Sequence, residues 1–183
     1  MQLKRIVNAE YKQHAVNSPT NAVDNNGTTP LDLAVIAQGD DATDRDGISI
    51  KPINLILRMF ITQHASATNT LVRVVIFRGK QENDSAMVLG NIFASTPLLK
   101  PKVYDKRFVT KILYDKYFTL SSAGQSCKAT TVSLKLHGHI NYDTSDATGN
   151  DKEGGGLYMV FISNEAINTP NVAYNSRLTF TDN

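Results

Sequence analysis

Apolar and polar residues alternate along much of the chain, and this alternation predicts β-strands. In residues 48–63, apolar side chains recur at every second position from Ile53 to Ile61. In residues 70–78 both sets of alternate positions are apolar, so both faces of that strand are expected to be covered. Eight segments have strand character: 9–17, 28–37, 48–63, 70–78, 111–120, 130–142, 157–163 and 173–181.

The segment 85–93 breaks this alternation. Met87, Leu89 and Phe93 stand there among small residues, and Asp84 or Ser85 could cap the N-terminus of a helix. We therefore expect one short helix between the fourth and fifth strands. Eight antiparallel strands in a chain of this length predict an all-β sandwich, for which the jelly roll is the commonest eight-stranded arrangement. The pattern by itself leaves immunoglobulin-like and lipocalin-like arrangements open.

Composition is that of a globular protein with one domain. Of its 183 residues, 41% are hydrophobic and 20% are charged. No apolar run reaches the roughly 18 residues of a membrane span, and the charged start of the chain is not followed by the apolar core of a signal peptide. A net charge of +2 is typical neither of a strongly basic nor of an acidic protein. The single cysteine, Cys127, cannot form an internal disulfide and fits synthesis inside a cell.

Three short motifs are candidates for catalysis, and each has a simpler interpretation. His137 and His139 share one face of a predicted strand, as in metal-dependent cupins, but the glutamate and the third histidine that such enzymes need are absent. Cys127 has no histidine pattern tied to it. The three glycines 154–156 precede a strand rather than a helix, so they do not form a phosphate loop. We therefore expect no enzyme.

The loop 40–46 is a candidate metal site because four of its seven residues are aspartates. Oxygen-rich clusters of this kind suit calcium, which takes six to eight hard ligands. The spacing is not that of an EF-hand, since the required glycine and terminal glutamate are absent. A solvated acidic loop is the alternative interpretation.

A basic cluster near the start of the chain is a candidate for binding phosphate groups. Lys4, Arg5 and Lys12 supply three cations there. A solvated helix end is the alternative interpretation.

Six short motifs occur in an order and at a spacing that resemble one family of proteins. They are Leu3-Lys4-Arg5-Ile6-Val7-Asn8, Gln38-Gly39-Asp40-Asp41, Val75-Ile76-Phe77-Arg78, Lys106-Arg107-Phe108, Ile112-Leu113-Tyr114-Asp115-Lys116 and Thr181-Asp182. With these motifs the chain resembles the coat proteins of satellite necrosis viruses and the related single jelly-roll capsids of small circular single-stranded DNA viruses.

The resemblance implies a fold and an assembly. Residues 1–8 would form a short basic arm or helix, and residues 9–183 a jelly-roll domain. One sheet would contain strands one, eight, three and six, and the other strands two, seven, four and five. The loops 63–69, 121–129 and 164–171 would lie at one end, near a five-fold axis. Sixty copies, made inside the host cell, would close into an icosahedral virion shell around single-stranded RNA or DNA.

The resemblance also implies two kinds of site. Calcium at subunit interfaces would be held by Asp46, Ser49 and Asp182, and Asp40 would meet its symmetry copies at a three-fold axis, where a cation or protonation is needed to offset the repulsion. Lys4, Arg5 and Lys12 would face the nucleic acid. Three cations in each of sixty copies give about 180 charges against the roughly 549 phosphates of the coding sequence alone, so other inward-facing cations, polyamines, metal ions or a longer arm would have to supply the rest.

Two other functions remain open at this point. A carbohydrate-binding, lectin-like jelly roll would also use a calcium loop, but the chain has no tryptophan and the loop 38–47 has no aromatic residue. A cupin-type enzyme is the third candidate.

Overall fold

The computed structural model describes residues 10–79, 87–93, 98, 109–143 and 152–182. All strand pairings in these residues are antiparallel. The strands are β1 (Lys12–Ser18), β2 (Leu31–Asp32), β3 (Ser49–Thr62), β4 (Asn69–Gly79), β5 (Val109–Ser121), β6 (Cys127–Lys135), β7 (Ile140–Tyr142), β8 (Lys152–Gly154), β9 (Gly156–Ser163) and β10 (Asn171–Asp182). Within the described residues no helix has the length and apolar character needed to cross a membrane.

The strands form two sheets, and their order matches the order that the resemblance implies. The larger sheet runs β1-β10-β3-β7-β8, and β6 pairs with β3 on the same side as β7. The smaller sheet runs β2-β9-β4-β5. Because β6 and β7 share the place of the predicted sixth strand, the first sheet contains strands one, eight, three and six of the predicted set.

The number of strands differs from the eight predicted. The predicted sixth strand is interrupted after Lys135, where Gly138 adopts a left-handed φ of +79°, and it resumes as β7. The sequence pattern did not predict β8. The predicted second strand is reduced to the two residues of β2, because side chains compete with the ladder: the Asp32 carboxylate accepts a hydrogen bond from the Ala34 N–H, and the Thr28 hydroxyl accepts one from the Phe161 N–H.

The short helix predicted in residues 85–93 is not supported. The described part of this segment contains one 3-10 turn, Leu89–Asn91, and no α-helix. Val88 before the turn is extended, with φ −117° and ψ 153°, and Gly90 at its centre is a poor helix former. The predicted capping residues, Asp84 and Ser85, lie outside the described residues.

The core between the sheets confirms most of the alternation predicted for β3. Leu55, Leu57, Met59 and Ile61 are buried, but Ile53 is only half-buried. The pairing with β10 shifts at this position, which is a β-bulge: the extra residue reverses which alternate positions face inward. On the other side of Ile53, the inward residues are therefore Ile50 and Pro52.

The prediction that both faces of β4 are covered is confirmed. Val72, Val74 and Ile76 lie in the core between the sheets, whereas Val75 and Phe77 lie in a second apolar cluster on the outer side of the smaller sheet. That second cluster is completed by residues that include Met87, Ile92, Phe93, Val109, Tyr158, Val160 and Ile162. The smaller sheet is thus apolar on both sides.

Hydrogen bonds join the three loops that were expected to lie at one end of the domain. The Gln63 N–H donates to the Ser126 carbonyl at 2.9 Å, and the Ser122 N–H donates to the Thr68 carbonyl at 3.0 Å. The Asn164 side-chain amide donates to the Asn69 carbonyl at 3.4 Å. The proximity of this end to a five-fold axis stays a prediction.

Candidate functional site

The structure brings two of the predicted calcium ligands together around a lysine. Lys12 Nζ lies 2.5 Å from Oδ1 of Asp46 and 3.0 Å from Oδ2 of Asp182, and only 5% of its side chain is exposed. The Asp46 N–H also donates to Asp182 Oδ1 at 3.3 Å. The hydrogen bond to Asp46 is the main cause that raises the pKa of Lys12, so this lysine is a permanent cation. We call these three residues the lysine clip.

The donor set within one subunit does not fit calcium. In the lysine clip an ammonium group already lies at the position between two carboxylates that a cation would take. Ser49 opposes Asn141 in the β3–β7 pairing, and Asp40 is exposed in its loop. Among the described residues, no group of three or more aspartate, glutamate, histidine or cysteine side chains could hold a metal ion.

The acidic loop is fixed by a buried arginine that the sequence pattern did not single out. Arg45 is fully buried; its Nε donates to the Ile36 carbonyl at 3.1 Å and its Nη1 to the Gly47 carbonyl at 2.5 Å. Its guanidinium lies 4.3 Å from the centre of the Tyr142 ring, a cation–π distance. The Tyr142 hydroxyl donates to the Ala34 carbonyl at 3.0 Å. The loop is therefore anchored by its own arginine as well as by the lysine clip.

A second buried ion pair lies near the same tyrosine ring, since Lys152 Nζ is 5.4 Å from the centre of the Tyr142 ring. Lys152 has no exposed side-chain surface and binds the carboxylate of Asp32. Burial is the main cause that raises the pKa of Asp32, and the charge of Lys152 opposes that shift. His14, on the inward side of β1, has its pKa lowered by burial and by the charge of Lys152. Its Nε2 is buried without a hydrogen-bond partner in the described part of the chain.

Of the three cations predicted to bind nucleic acid, the structure describes one. Lys4 and Arg5 lie outside the described residues. Lys12 is buried in the lysine clip, so its charge is already neutralised within the subunit. The nucleic-acid site at these three residues stays a prediction. Other candidates for binding phosphate groups are the exposed cations elsewhere in the described residues.

The outward side of four strands of the larger sheet carries exposed cations and no carboxylate. We define the basic face as the outward side of β1, β3, β6 and β10, and its cations are Lys51, Arg58, Lys135 and Arg177. All four are exposed. The four strands contain a single carboxylate, Asp182, which lies on the inward side with Lys12. Sequence reasoning missed this face, although each of these cations alternates with inward-facing residues of its strand.

Two hollows lie on the basic face, and each contains an exposed aromatic ring. The larger has a volume of about 580 Å³ and is lined by residues that include Tyr11, Lys51, Asn54, Lys135 and His137. The smaller has a volume of about 340 Å³ and is lined by residues that include Asn17, Arg58, Phe60 and Asn175. Cations, amides and aromatic rings together are the groups that bind nucleotides.

The two histidines contribute their backbone rather than a metal site. Both side chains are exposed. Arg78 donates to the carbonyls of His137 and His139, the latter at 2.6 Å, and its Nε donates to the Gly155 carbonyl at 3.0 Å. Gly155 has a φ of +72°, and a Cβ there would collide with the His139 carbonyl. This arginine thus joins the β6–β7 and β8–β9 turns to β4, and the cupin interpretation gains no support. Cys127 is an exposed free thiol.

The outer side of the smaller sheet has an arginine of a different kind. Arg73 forms two parallel hydrogen bonds of 2.9 Å with the carboxylate of Asp115, and only 3% of its side chain is exposed. Its guanidinium also lies 4.9 Å from the ring of Phe93 and 5.2 Å from the ring of Tyr117. The hydrogen bond to Asp115 is the main cause that raises the pKa of Arg73.

These features define a class: an all-β, two-sheet protein whose buried ions stabilise its loops and whose larger sheet presents cations outward. A family model, described as satellite tobacco necrosis virus coat protein, matches residues 1–183. The chain therefore belongs to the satellite tobacco necrosis virus coat protein family. It is a viral coat protein that forms the icosahedral shell of a virion, which is a structural function. No individual curated protein matches the sequence significantly.

Solved structures that resemble this chain over nearly its whole length include two plant virus structures and one bacterial protein. A broad bean stain virus structure is 12% identical, with a TM-score of 0.37, over 97% of this chain and 89% of that one. A desmodium yellow mottle tymovirus structure is 9% identical, with a TM-score of 0.37, over 100% of this chain and 93% of that one. The latent PorU protein of Porphyromonas gingivalis is 5% identical, with a TM-score of 0.40, over 96% of this chain and 14% of that one. At these TM-scores the identification rests on the family match.

Proposed function

We propose that sixty copies of this chain form the shell, and that the basic face lines its interior against the packaged nucleic acid. The observation that carries the proposal is the basic face itself: four exposed cations on one sheet surface with no carboxylate among them. Phosphate neutralisation dominates the affinity of proteins for nucleic acid, and it requires cations that are not already paired.

The cations of this face reduce the shortfall of positive charge relative to nucleic-acid phosphates within a shell. Four cations in each of sixty copies supply about 240 charges, and Lys4 with Arg5 would add about 120. The sum of about 360 approaches the roughly 549 phosphates of the coding sequence far more closely than the three N-terminal cations do. Either RNA or DNA could occupy such a surface, since both present phosphates.

We also propose that the ten strands form an eight-stranded jelly roll, in which one of the eight strands is interrupted and one short strand is additional to the eight. In this assignment β6 and β7 are one strand, and β8 is a short extension at the sheet edge. A rigid wedge of this kind suits a closed shell of identical subunits.

The calcium prediction is retained as a proposal only where a second subunit could complete the site. Asp40 is exposed and could meet its copies across a three-fold axis, where a cation would offset their repulsion. At Asp46, Ser49 and Asp182, calcium would have to compete with Lys12.

Electron microscopy of the purified particles, with measurement of nucleotides per shell after nuclease treatment, tests the packaging proposal. We expect the double variant Arg58→Gln/Lys135→Gln to form shells of normal size that contain markedly fewer nucleotides. The matched control is Lys111→Gln/Lys116→Gln, which removes two exposed cations from β5 of the other sheet and should leave the content unchanged. An equal nucleotide content in both variants would refute the assignment of the interior face, and particles of another size would refute the sixty-copy shell.

A further inference from the structure

We infer that the basic face binds single-stranded nucleic acid by stacking unpaired bases on Tyr11 and Phe60. The inference rests on the proposed packaging function and makes it specific: phosphates alone would explain the cations, whereas base stacking also gives a role to the two exposed rings that lie among them. Aromatic side chains beside a positively charged track are how proteins bind single strands without sequence preference.

Phe60 is an open platform on an interior strand of the larger sheet. Its side chain is 47% exposed although it lies in β3, which has neighbours on both sides. The two residues directly opposite it are Ala129 on β6 and Ala173 on β10. Cross-strand neighbours normally cover an aromatic ring on a sheet, and two alanines are too small to do so. A planar base could therefore contact this ring without displacing any side chain.

Polar groups surround Phe60 in the arrangement that a nucleotide needs. The smaller hollow places Arg58, Asn17 and Asn175 in the same lining as the ring. The guanidinium can bind a phosphate, and the amides of the two asparagines can donate to and accept from base edges. Asn175 and Asn17 oppose each other in the β1–β10 pairing, which fixes their spacing.

Tyr11 gives the larger hollow the same combination of groups. Its side chain is 66% exposed, and it shares the lining with Lys51, Lys135, Asn54 and His137. Asn54 and Lys135 are directly opposed in the β3–β6 pairing. This hollow thus repeats the ring, cation and amide of the smaller one with different residues.

The two hollows lie along one track on the sheet. From Asn54 to Phe60, β3 advances six residues, or roughly 20 Å. Arg177 lies between the hollows, opposite Ile56 on the neighbouring strand. A single strand that runs along β3 would therefore meet a ring with cations at each end and a further cation in the middle.

The rings distinguish a single strand from a duplex. In a double helix the bases are stacked and paired, so a protein surface contacts phosphates and sugars, and side-chain rings find no exposed base faces. Binding to duplex segments would use the four cations and leave Tyr11 and Phe60 without a role. A single strand uses both sets of groups.

Binding measurements on unassembled subunits test the inference. Fluorescence anisotropy would compare a labelled homopolymeric thymidine oligonucleotide with a duplex of the same length, over a series of salt concentrations. The variants are Tyr11→Leu and Phe60→Leu, which keep an apolar side chain but remove the ring. Ile167→Ala, at an 87% exposed position in the loop before β10, is the control for loss of exposed apolar surface.

We expect each ring variant to weaken single-strand binding by roughly 5- to 100-fold, to leave duplex binding unchanged, and to leave the salt dependence unchanged. Equal binding of single strand and duplex by the native protein, unaffected by either ring variant, would overturn the stacking inference while leaving charge-based packaging intact. Ring variants that bind normally but cannot form shells would also overturn it, because the rings would then be subunit contacts. The packaging proposal fails by a different result, namely that the variant Arg58→Gln/Lys135→Gln has an unchanged nucleotide content.

Discussion

The outer surfaces of the two sheets hold the same residue types in opposite situations. On the basic face, Arg58 and Phe60 are exposed and lie in one hollow. On the smaller sheet, Arg73 lies against the ring of Phe93 and is buried and bound to Asp115. The difference lies in what surrounds them: the outer side of the smaller sheet carries a second apolar cluster and a carboxylate, whereas the basic face carries neither. An arginine with a carboxylate stabilises the subunit, and one without remains available to a partner.

The largest expected effect is the difference between Arg73 and Arg58 in how much each contributes to the free energy of unfolding. Arg73→Met removes the ion-pair partner of Asp115, a carboxylate that is mostly buried, and should lower the free energy of unfolding by about 3–5 kcal/mol. Arg58→Met, the matched change on the basic face, should cost less than about 0.5 kcal/mol. Urea denaturation of unassembled subunits measures both. Equal losses in the two variants would remove the distinction between the two faces.

A smaller effect is expected at the lysine clip, on the inward side of the larger sheet. Lys12→Met removes two charged hydrogen bonds and should cost about 1–3 kcal/mol. The variant should also gain a calcium-dependent rise in melting temperature, since Asp46 and Asp182 are left without their cation, whereas the native subunit should melt at the same temperature with and without a chelator.

Lys51→Met is the control for the lysine clip, because Lys51 lies on the basic face and is exposed. It should change neither the stability nor the response to calcium. A native subunit that already gains stability from calcium would contradict the role of Lys12 as a built-in cation.

The smallest effect concerns acidification and the inward side of β1. Burial lowers the pKa of His14 below its usual value, so the unfolded chain binds more protons than the folded one near pH 6. The free energy of unfolding should therefore fall as the pH drops from about 7 through the pKa of the unfolded histidine. His14→Gln should flatten this part of the pH profile, and His137→Gln, at an exposed position, should not. An unchanged profile in His14→Gln would assign the acid sensitivity to other groups.

The sequence pattern predicted the strands well where the pairing with neighbouring strands runs without a bulge or a break. The order of the sheets followed from the resemblance, and the double covering of β4 followed from its apolar run. The bulge at Ile53 and the break at Gly138 could not be predicted, because each depends on how a partner strand is registered. The short helix was expected because the alternation breaks in residues 85–93 and a capping residue precedes them, but the described residues there contain a 3-10 turn around Gly90.

The candidate site was predicted less well, because the side of its strand to which each charged side chain points was not assigned from the sequence. Lys12 was assigned to nucleic acid because of its charge, yet it shares the inward side of β1 with His14, and its carboxylate partners come from 34 and 170 residues away along the chain. Such partners are invisible to a local pattern. Three cations of the basic face, Arg58, Lys135 and Arg177, alternate with buried residues and could have been assigned to one surface from the strand periodicity alone. Lys51 could not, because the bulge at Ile53 reverses the alternation on its side of β3.

The hydrogen bonds of Arg78 have a consequence for how members of this family can vary. Its acceptors are main-chain carbonyls, which every amino acid possesses. These hydrogen bonds therefore require the arginine at 78 and the glycine at 155, but they do not depend on the side chains at 137 and 139. Substitutions at those two exposed positions, one of which lines the larger hollow, can therefore accumulate without loosening the turns that carry them. The fold thus leaves one rim of the basic face, which we propose binds the packaged nucleic acid, free to diverge in sequence.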